Sequence, residues 1–195
     1  MLAGSARLEL RFRRDRNRLA TLAQPLLGLP QYLVLALATV PLGLVLVYAW
    51  LALLVTAHWP PSPYRWTVGW LRAAIRNWAY LNLVSGEHPP WTLDDDPGYE
   101  VRLLVGSPKP RYGRLKVLFR FIFVLPAYLA GAVGGLLLYA LLIVSWLRIL
   151  AASHQSEEIF RLQVRGLTWF TLYGLLVDLV IEDYDWSLSA PPPPS

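Results

Sequence analysis

Near the start of the chain apolar and polar residues alternate. Leu8, Leu10 and Phe12 fall on one face and Arg7, Glu9 and Arg11 on the other, a period of two that predicts a short strand over 7–12. Tyr99 to Val105 repeats the pattern and predicts a second strand over 100–105, free to pair with the first. Between and after them the pattern changes completely. No Asp, Glu, Lys or Arg occurs from Leu19 to Tyr64, and none from Phe121 to Leu147. About 20 apolar residues suffice to cross a bilayer core, so each run predicts a long membrane helix. Pro30 is expected to open the first, which runs to about Ala57, and Pro126 to open the second, because proline fits a first helical turn. Pro41 predicts a kink, and Gly131, Gly134 and Gly135 predict close approach of a neighbouring helix.

A second helix is expected after each long one. From Tyr64 to Val84, Arg65, Gly69, Arg72 and Arg76 share a narrow stripe at 100° per residue, which makes an amphipathic helix with a basic seam. The later helix keeps Arg161 and Arg165, but Thr168 and Leu172 replace the other two arginines, and Gly166 to Val177 is apolar.

These parallels belong to an internal repeat with a constant offset of 96 residues, as from Pro30 to Pro126. Arg18-Leu19 returns as Arg114-Leu115, Leu29-Pro30-x-Tyr32-Leu33 as Leu125-Pro126-x-Tyr128-Leu129, Trp50-Leu51 as Trp146-Leu147 and His58 as His154. Arg65, Val68 and Leu71 return as Arg161, Val164 and Leu167. One deletion later, Trp91-Thr92-Leu93 returns as Trp186-Ser187-Leu188. Coincidence of Pro, Tyr, Trp, His and Arg at one offset points to duplication.

The Leu-Pro-x-Tyr start, Thr56-Ala57-His58-Trp59-Pro60, the linker Pro89-Pro90-Trp91-Thr92-Leu93-Asp94-Asp95-Asp96 and the following Tyr99-Glu100-Val101-Arg102-Leu103 carry a resemblance. Together they resemble the bacterial membrane family called domain of unknown function 4389, over nearly all of Arg7 to Leu188. The resemblance implies tandem units of one membrane-embedded fold and brings no established activity. The second copy departs from the pattern at Ala152-Ser153-His154-Gln155-Ser156, where the aromatic-Pro pair is lost, and at Asp185. Differently built turns are expected there.

The expected fold is therefore an all-α integral membrane protein with short cytoplasmic strands. Its parts are a basic segment at 1–18, a first repeat at 19–93, a linker at 94–114, a second repeat at 115–188 and a Pro-rich tail at 189–195. Composition agrees: 55% of the 195 residues are hydrophobic and only 16% charged, with a mean hydropathy of +0.40. A soluble domain carries about a quarter of its residues as charges. The net charge of +5 reflects basic residues that flank the apolar runs, so an anionic membrane explains it and nucleic acid is not needed. Trp59, Trp66, Trp91, Trp146 and Trp186 lie where apolar and polar stretches meet, as an interfacial aromatic belt does.

Basic residues crowd before each unit, Arg7 to Arg18 and Arg102 to Arg120, and thin out in the turns after the long helices. Positive-inside placement puts both termini and the linker on the cytoplasmic side of a bacterial inner membrane, with four crossings and two parallel units. The rival arrangement makes each apolar run a re-entrant hairpin and lays the Arg-seamed helix on the cytoplasmic leaflet.

No Gly-rich phosphate loop, nucleophile elbow or zinc-protease helix occurs, and with no Cys there is no thiolate chemistry. No catalytic residue, metal or cofactor is expected. His58 and His154 read as interfacial histidines without a second ligand at helical spacing. Asp94-Asp95-Asp96 reads as a solvated turn, and Asp178, whose repeat mate is Asn82, as a helix-end acid. The seam is the strongest candidate. Arg65, Arg72, Arg76, Arg161 and Arg165 are expected to hold lipid phosphates or the acidic residues of a partner, unless they snorkel to the interface. The function expected is a structural or accessory component of a membrane assembly, packed against other subunits or itself. The alternative is a small transporter or lipid-binding protein.

Overall fold

The computed structural model describes residues 4–13 and 17–182, and these are mostly helical (67%). Trp186-Ser187-Leu188, Asp185 and the tail from 189 lie outside the described residues. Strand β1 (Ala6–Leu10) precedes helices α1 (Arg18–Thr56) and α2 (Pro61–Leu81); β2 (Val101–Val105) precedes α3 (Arg114–Leu118), α4 (Arg120–Ala152) and α5 (Glu157–Val177). Two helices, Arg18–Thr56 and Ile122–Ala152, are long and apolar enough to cross a membrane.

Helix α1 starts well before Pro30. Asn17 Oδ1 caps it, accepting from the backbone N–H groups of Leu19 and Ala20 at 2.9 and 3.4 Å. Pro25, Pro30 and Pro41 then lie inside an unbroken helix, and Pro126 likewise lies inside α4. Each proline removes one backbone bond, and in apolar helices neighbouring polar groups re-satisfy the ladder. Pro30 frees the carbonyl of Leu26, four residues back. On the next residues Asn77 Nδ2 donates to the Gly28 carbonyl and the His88 ring meets that of Leu27, both at 3.3 Å, tying this turn of α1 to α2 and the linker. A hairpin within either apolar run is excluded by this continuity. Pro61, by contrast, stands at the first turn of α2, where its missing N–H costs nothing.

The turns after the two long helices are built alike, against the expectation from their sequences. Ala57 and Ser153 both adopt left-handed backbone, φ 58° and 62°, and bond back to Leu53 and Ile149. The ends of α2 and α5 also correspond: Leu83 and Leu179 take φ 58° and 59°, and Val84 and Val180 donate to Ala79 and Leu175.

Helices α1 and α2 form one antiparallel hairpin, with Gly28 against Tyr80 and Leu81. Helices α4 and α5 form another and pack more closely. There a methyl group on Gly134 would sit 2.6 Å from the Gly166 carbonyl oxygen, and Gly131 lies on Tyr173. Between the hairpins, the start of α1 meets the end of α4, where Arg18 Nη2 donates to the Ala151 carbonyl at 3.0 Å. The start of α3 meets the end of α1, where Arg114 Nη2 donates to Val55 at 2.8 Å. The two long helices therefore run antiparallel. Two crossings per unit would set the long helices parallel; the linker, by running back along α2, sets them antiparallel.

That linker does not leave the structure. Pro90 lies by Gln31, Leu93 fills the space over Gly69, Leu103 lies by Arg72, Gly106 accepts from the Tyr64 hydroxyl and Tyr112 N–H bonds Ala57. It runs back along the whole of α2. On it β2 pairs antiparallel with β1, from Ala6↔Val105 to Leu10↔Val101, and Ala6, Leu8, Leu10, Val101 and Leu103 turn inward. The result is three layers: α1 with α4, then α2 with α5, then the ribbon and linker.

Candidate functional site

The expected seam does not form one surface. Arg65 is exposed, but Arg72 and Arg76 point into the linker. Arg72 Nε donates to the Leu103 carbonyl at 3.1 Å. Arg76, 1% exposed, donates through Nη1 to Thr92 at 3.2 Å and through Nη2 to Asp94. Guanidinium forks satisfy several carbonyls at once, so these two arginines clamp the chain's own linker onto α2. Gly69 between them lets the clamp close, since a Cβ there would meet Leu93 at 2.8 Å. In α5 the equivalent of Gly69 is Arg165, and there Arg161 and Arg165 are exposed. Arg161 pairs with Glu157 one turn earlier.

The other candidates fall as follows. Trp59 is buried and its Nε1 donates to the Leu179 carbonyl at 2.8 Å, so it braces the interior rather than joining a belt. Trp66 and Trp146 are half-buried, and Trp91 is exposed on the linker. The acidic triplet is a set of turns: Asp94 N–H bonds Thr92 Oγ1 and Asp96 accepts from Gly98, at 3.1 and 2.9 Å. Asp95 pairs with Arg102, whose hydrogen bond holds its carboxyl below the usual range. His58 and His154 each bond the carbonyl two residues back, Thr56 and Ala152. No cluster of His, Asp and Glu suited to a metal ion exists among the described residues. Asp178 caps the end of α5, as Asn82 caps α2. It is buried, and burial pushes its carboxyl up to about 7.

Sequence reasoning missed a set of paired braces. Gln24 Nε2 donates to Tyr80 and Ser85, at 2.8 and 2.6 Å; Arg120 Nη2, at the equivalent position, donates to Leu176 and Ile181. Trp59 reaches Leu179 in the other half, and Gln155 Nε2 reaches Leu83 in return at 3.0 Å. Arg18 to Ala151 and Arg114 to Val55 are reciprocal in the same way. The available signal was positional: each pair holds side chains that donate through N–H.

A crevice of about 180 Å³ opens between α1 and α2, lined by Tyr32, Leu35, Thr39, Trp70, Asn77 and Trp78 among others. Asn77 Oδ1 and Gln31 Oε1 are buried without a hydrogen bond.

Comparison with protein-family models, with curated proteins and with solved structures gave no match.

Proposed function

We propose that the chain is a membrane-embedded, non-catalytic structural or accessory protein, two fused copies of one unit, of the kind that the resemblance to domain of unknown function 4389 implies. The surface of the two long helices carries the reading. Leu37 and Leu44 on α1 and Leu136 on α4 are 74%, 71% and 72% exposed, and the buried residues of α1 form only a narrow stripe. In water such continuous apolar surface is a liability; in lipid it is solvated. Helix boundaries, left-handed turns and reciprocal braces recurring at the 96-residue offset support the duplication, with a pseudo-two-fold between the halves. Arg65 and Arg165, exposed and basic on the face that Arg72 and Arg76 turn to the linker, are the residues left to meet an acidic partner subunit. The excess of basic residues before each unit favours a cytoplasmic ribbon. Retention in the membrane pellet through alkaline carbonate, and flotation of the purified chain with liposomes, are the expected results. Release into the carbonate supernatant refutes the reading.

One observation favours lipid binding as a second reading. The α1–α2 crevice is mostly apolar and has the Asn77 side chain in its wall, which suits an apolar chain carrying one polar group. Native mass spectrometry after mild delipidation should retain one such lipid, and Asn77→Leu should lose it.

A further inference from the structure

Resting on the membrane reading, we infer that α1 and α4 do not cross the bilayer but lie within one leaflet, with α2, α5 and the ribbon on a single side. The partner surface is thus one face of a membrane.

The course of the linker requires this. Residues 85–113 touch α2 at both ends: Ser85 accepts from Gln24 by its last turn, and Tyr112 bonds Ala57 before its first. If the ends of α2 stood on opposite sides of a membrane, the linker would have to cross beside it. It carries Glu87, Asp94, Asp95, Asp96, Glu100, Arg102, Lys109 and Arg111, pairs in β2 with a strand bearing Arg7 and Glu9, and keeps Arg7 and Glu9 in solvent. Exposed charge and a two-stranded sheet with open edges have no place in hydrocarbon. Both ends of α2 therefore share one compartment. Since α2 joins the end of α1 to the residues beside its start, both ends of α1 share it too, and the reciprocal braces extend this to α4 and α5.

Helix length points the same way. With 39 residues, α1 is about 58 Å long, roughly twice a bilayer core. It is too long to stand upright without carrying one end far into water. The polar and apolar layers are stacked along the pseudo-two-fold, so that axis lies along the membrane normal and the helices lie across it. Arg18, Arg111, Arg114, Lys116 and Arg148, all exposed, ring the ends of the apolar layer at headgroup height, where cations meet anionic lipid.

The chain has no Cys, so single substitutions report side. Ser62→Cys and Glu158→Cys mark the starts of α2 and α5, Ser107→Cys the ribbon, and Leu37→Cys the apolar layer. Cells expressing each are treated with a membrane-impermeant maleimide before and after permeabilisation. Ser62→Cys, Glu158→Cys and Ser107→Cys should behave alike, with the same ratio of labelling before and after. Labelling of the first two on the face opposite Ser107, or of one on each face, overturns the single-leaflet seat. Leu37→Cys should resist labelling throughout. If it labels as readily as Ser107→Cys, the membrane reading fails instead, whatever the other three show.

Discussion

Two adjacent glycines in α4 should respond to the same substitution with opposite sign. A Cβ on Gly134 would lie 2.6 Å from the Gly166 carbonyl oxygen and 3.1 Å from Trp169 Cβ, whereas one on Gly135 meets nothing within 4 Å. The obstacle at Gly134 is backbone, which cannot rotate away. Restoring a 3.4 Å contact would need α4 and α5 to part by about 0.8 Å, and overpacking of this kind costs about 1–3 kcal/mol. Gly135→Ala meets no obstacle and removes a flexible residue from a helix interior, a gain of about 0.5–1 kcal/mol. At about 2–4 °C per kcal/mol for a chain of this size, Gly134→Ala should melt several degrees below the parent and Gly135→Ala a degree or more above it. Tryptophan fluorescence during thermal unfolding in nanodiscs reads both. Because Gly166 faces Gly134 reciprocally, at 2.8 Å, Gly134→Ala and Gly166→Ala together should be non-additive. A Gly134→Ala protein as stable as the parent would refute the close packing of α4 on α5.

Three further outcomes follow from the braces and the clamp. Arg76→Gln should cost about 1–3 kcal/mol, since it removes the charged hydrogen bonds to the Thr92 and Asp94 carbonyls from a buried side chain, and should speed proteolysis of the linker around Trp91; unchanged proteolysis would remove the clamp. Its retention of anionic lipid should match the parent's. Asp178→Asn should flatten the pH dependence of stability. A carboxyl raised from 3.8 to about 7 contributes stability that is fully present below pH 3.8 and lost as pH rises through 7. The substitution should therefore stabilise at pH 8, by at most about 4 kcal/mol, and have no such effect at pH 4; equal melting shifts at both would refute it. Gln155→Ala should cost about 1 kcal/mol or more, from the lost bonds to Leu83 and Gln163, read as a lower unfolding midpoint; an unmoved midpoint would mean that the brace carries no weight.

Much of the architecture was legible because periodicity is local. The period of two at Leu8 and Leu10 became β1, which stops short of Phe12, that at 99–105 became its partner β2, and the charge-free runs became α1 and α4. Proline misled at the boundaries: the same ring that suits a first turn at Pro61 is also accepted inside an apolar helix at Pro30, and the residue that decides is the cap, Asn17. The arginine seam was visible as a stripe, but not what it faces. That depends on a linker folding back from Pro90 to Tyr112, and Gly69, the small residue that admits Leu93, was counted as part of the stripe rather than as a gap in it. The loss of the aromatic at Gln155 suggested a different turn. What the position requires is an N–H donor of sufficient reach, which tryptophan and glutamine share.

The exchanged braces also bear on how the molecule comes apart. Leu83 holds left-handed backbone, which a leucine tolerates only when its surroundings insist, and the carbonyl of that residue is held by Gln155 from the other half. Leu179 depends on Trp59 in the same way. Opening either half would release the strained residue that closes the other, so partial melting is disfavoured on both sides. The two halves should therefore denature in one cooperative transition, and a half expressed alone should be frayed at its last helical turn until a second copy supplies the missing donor.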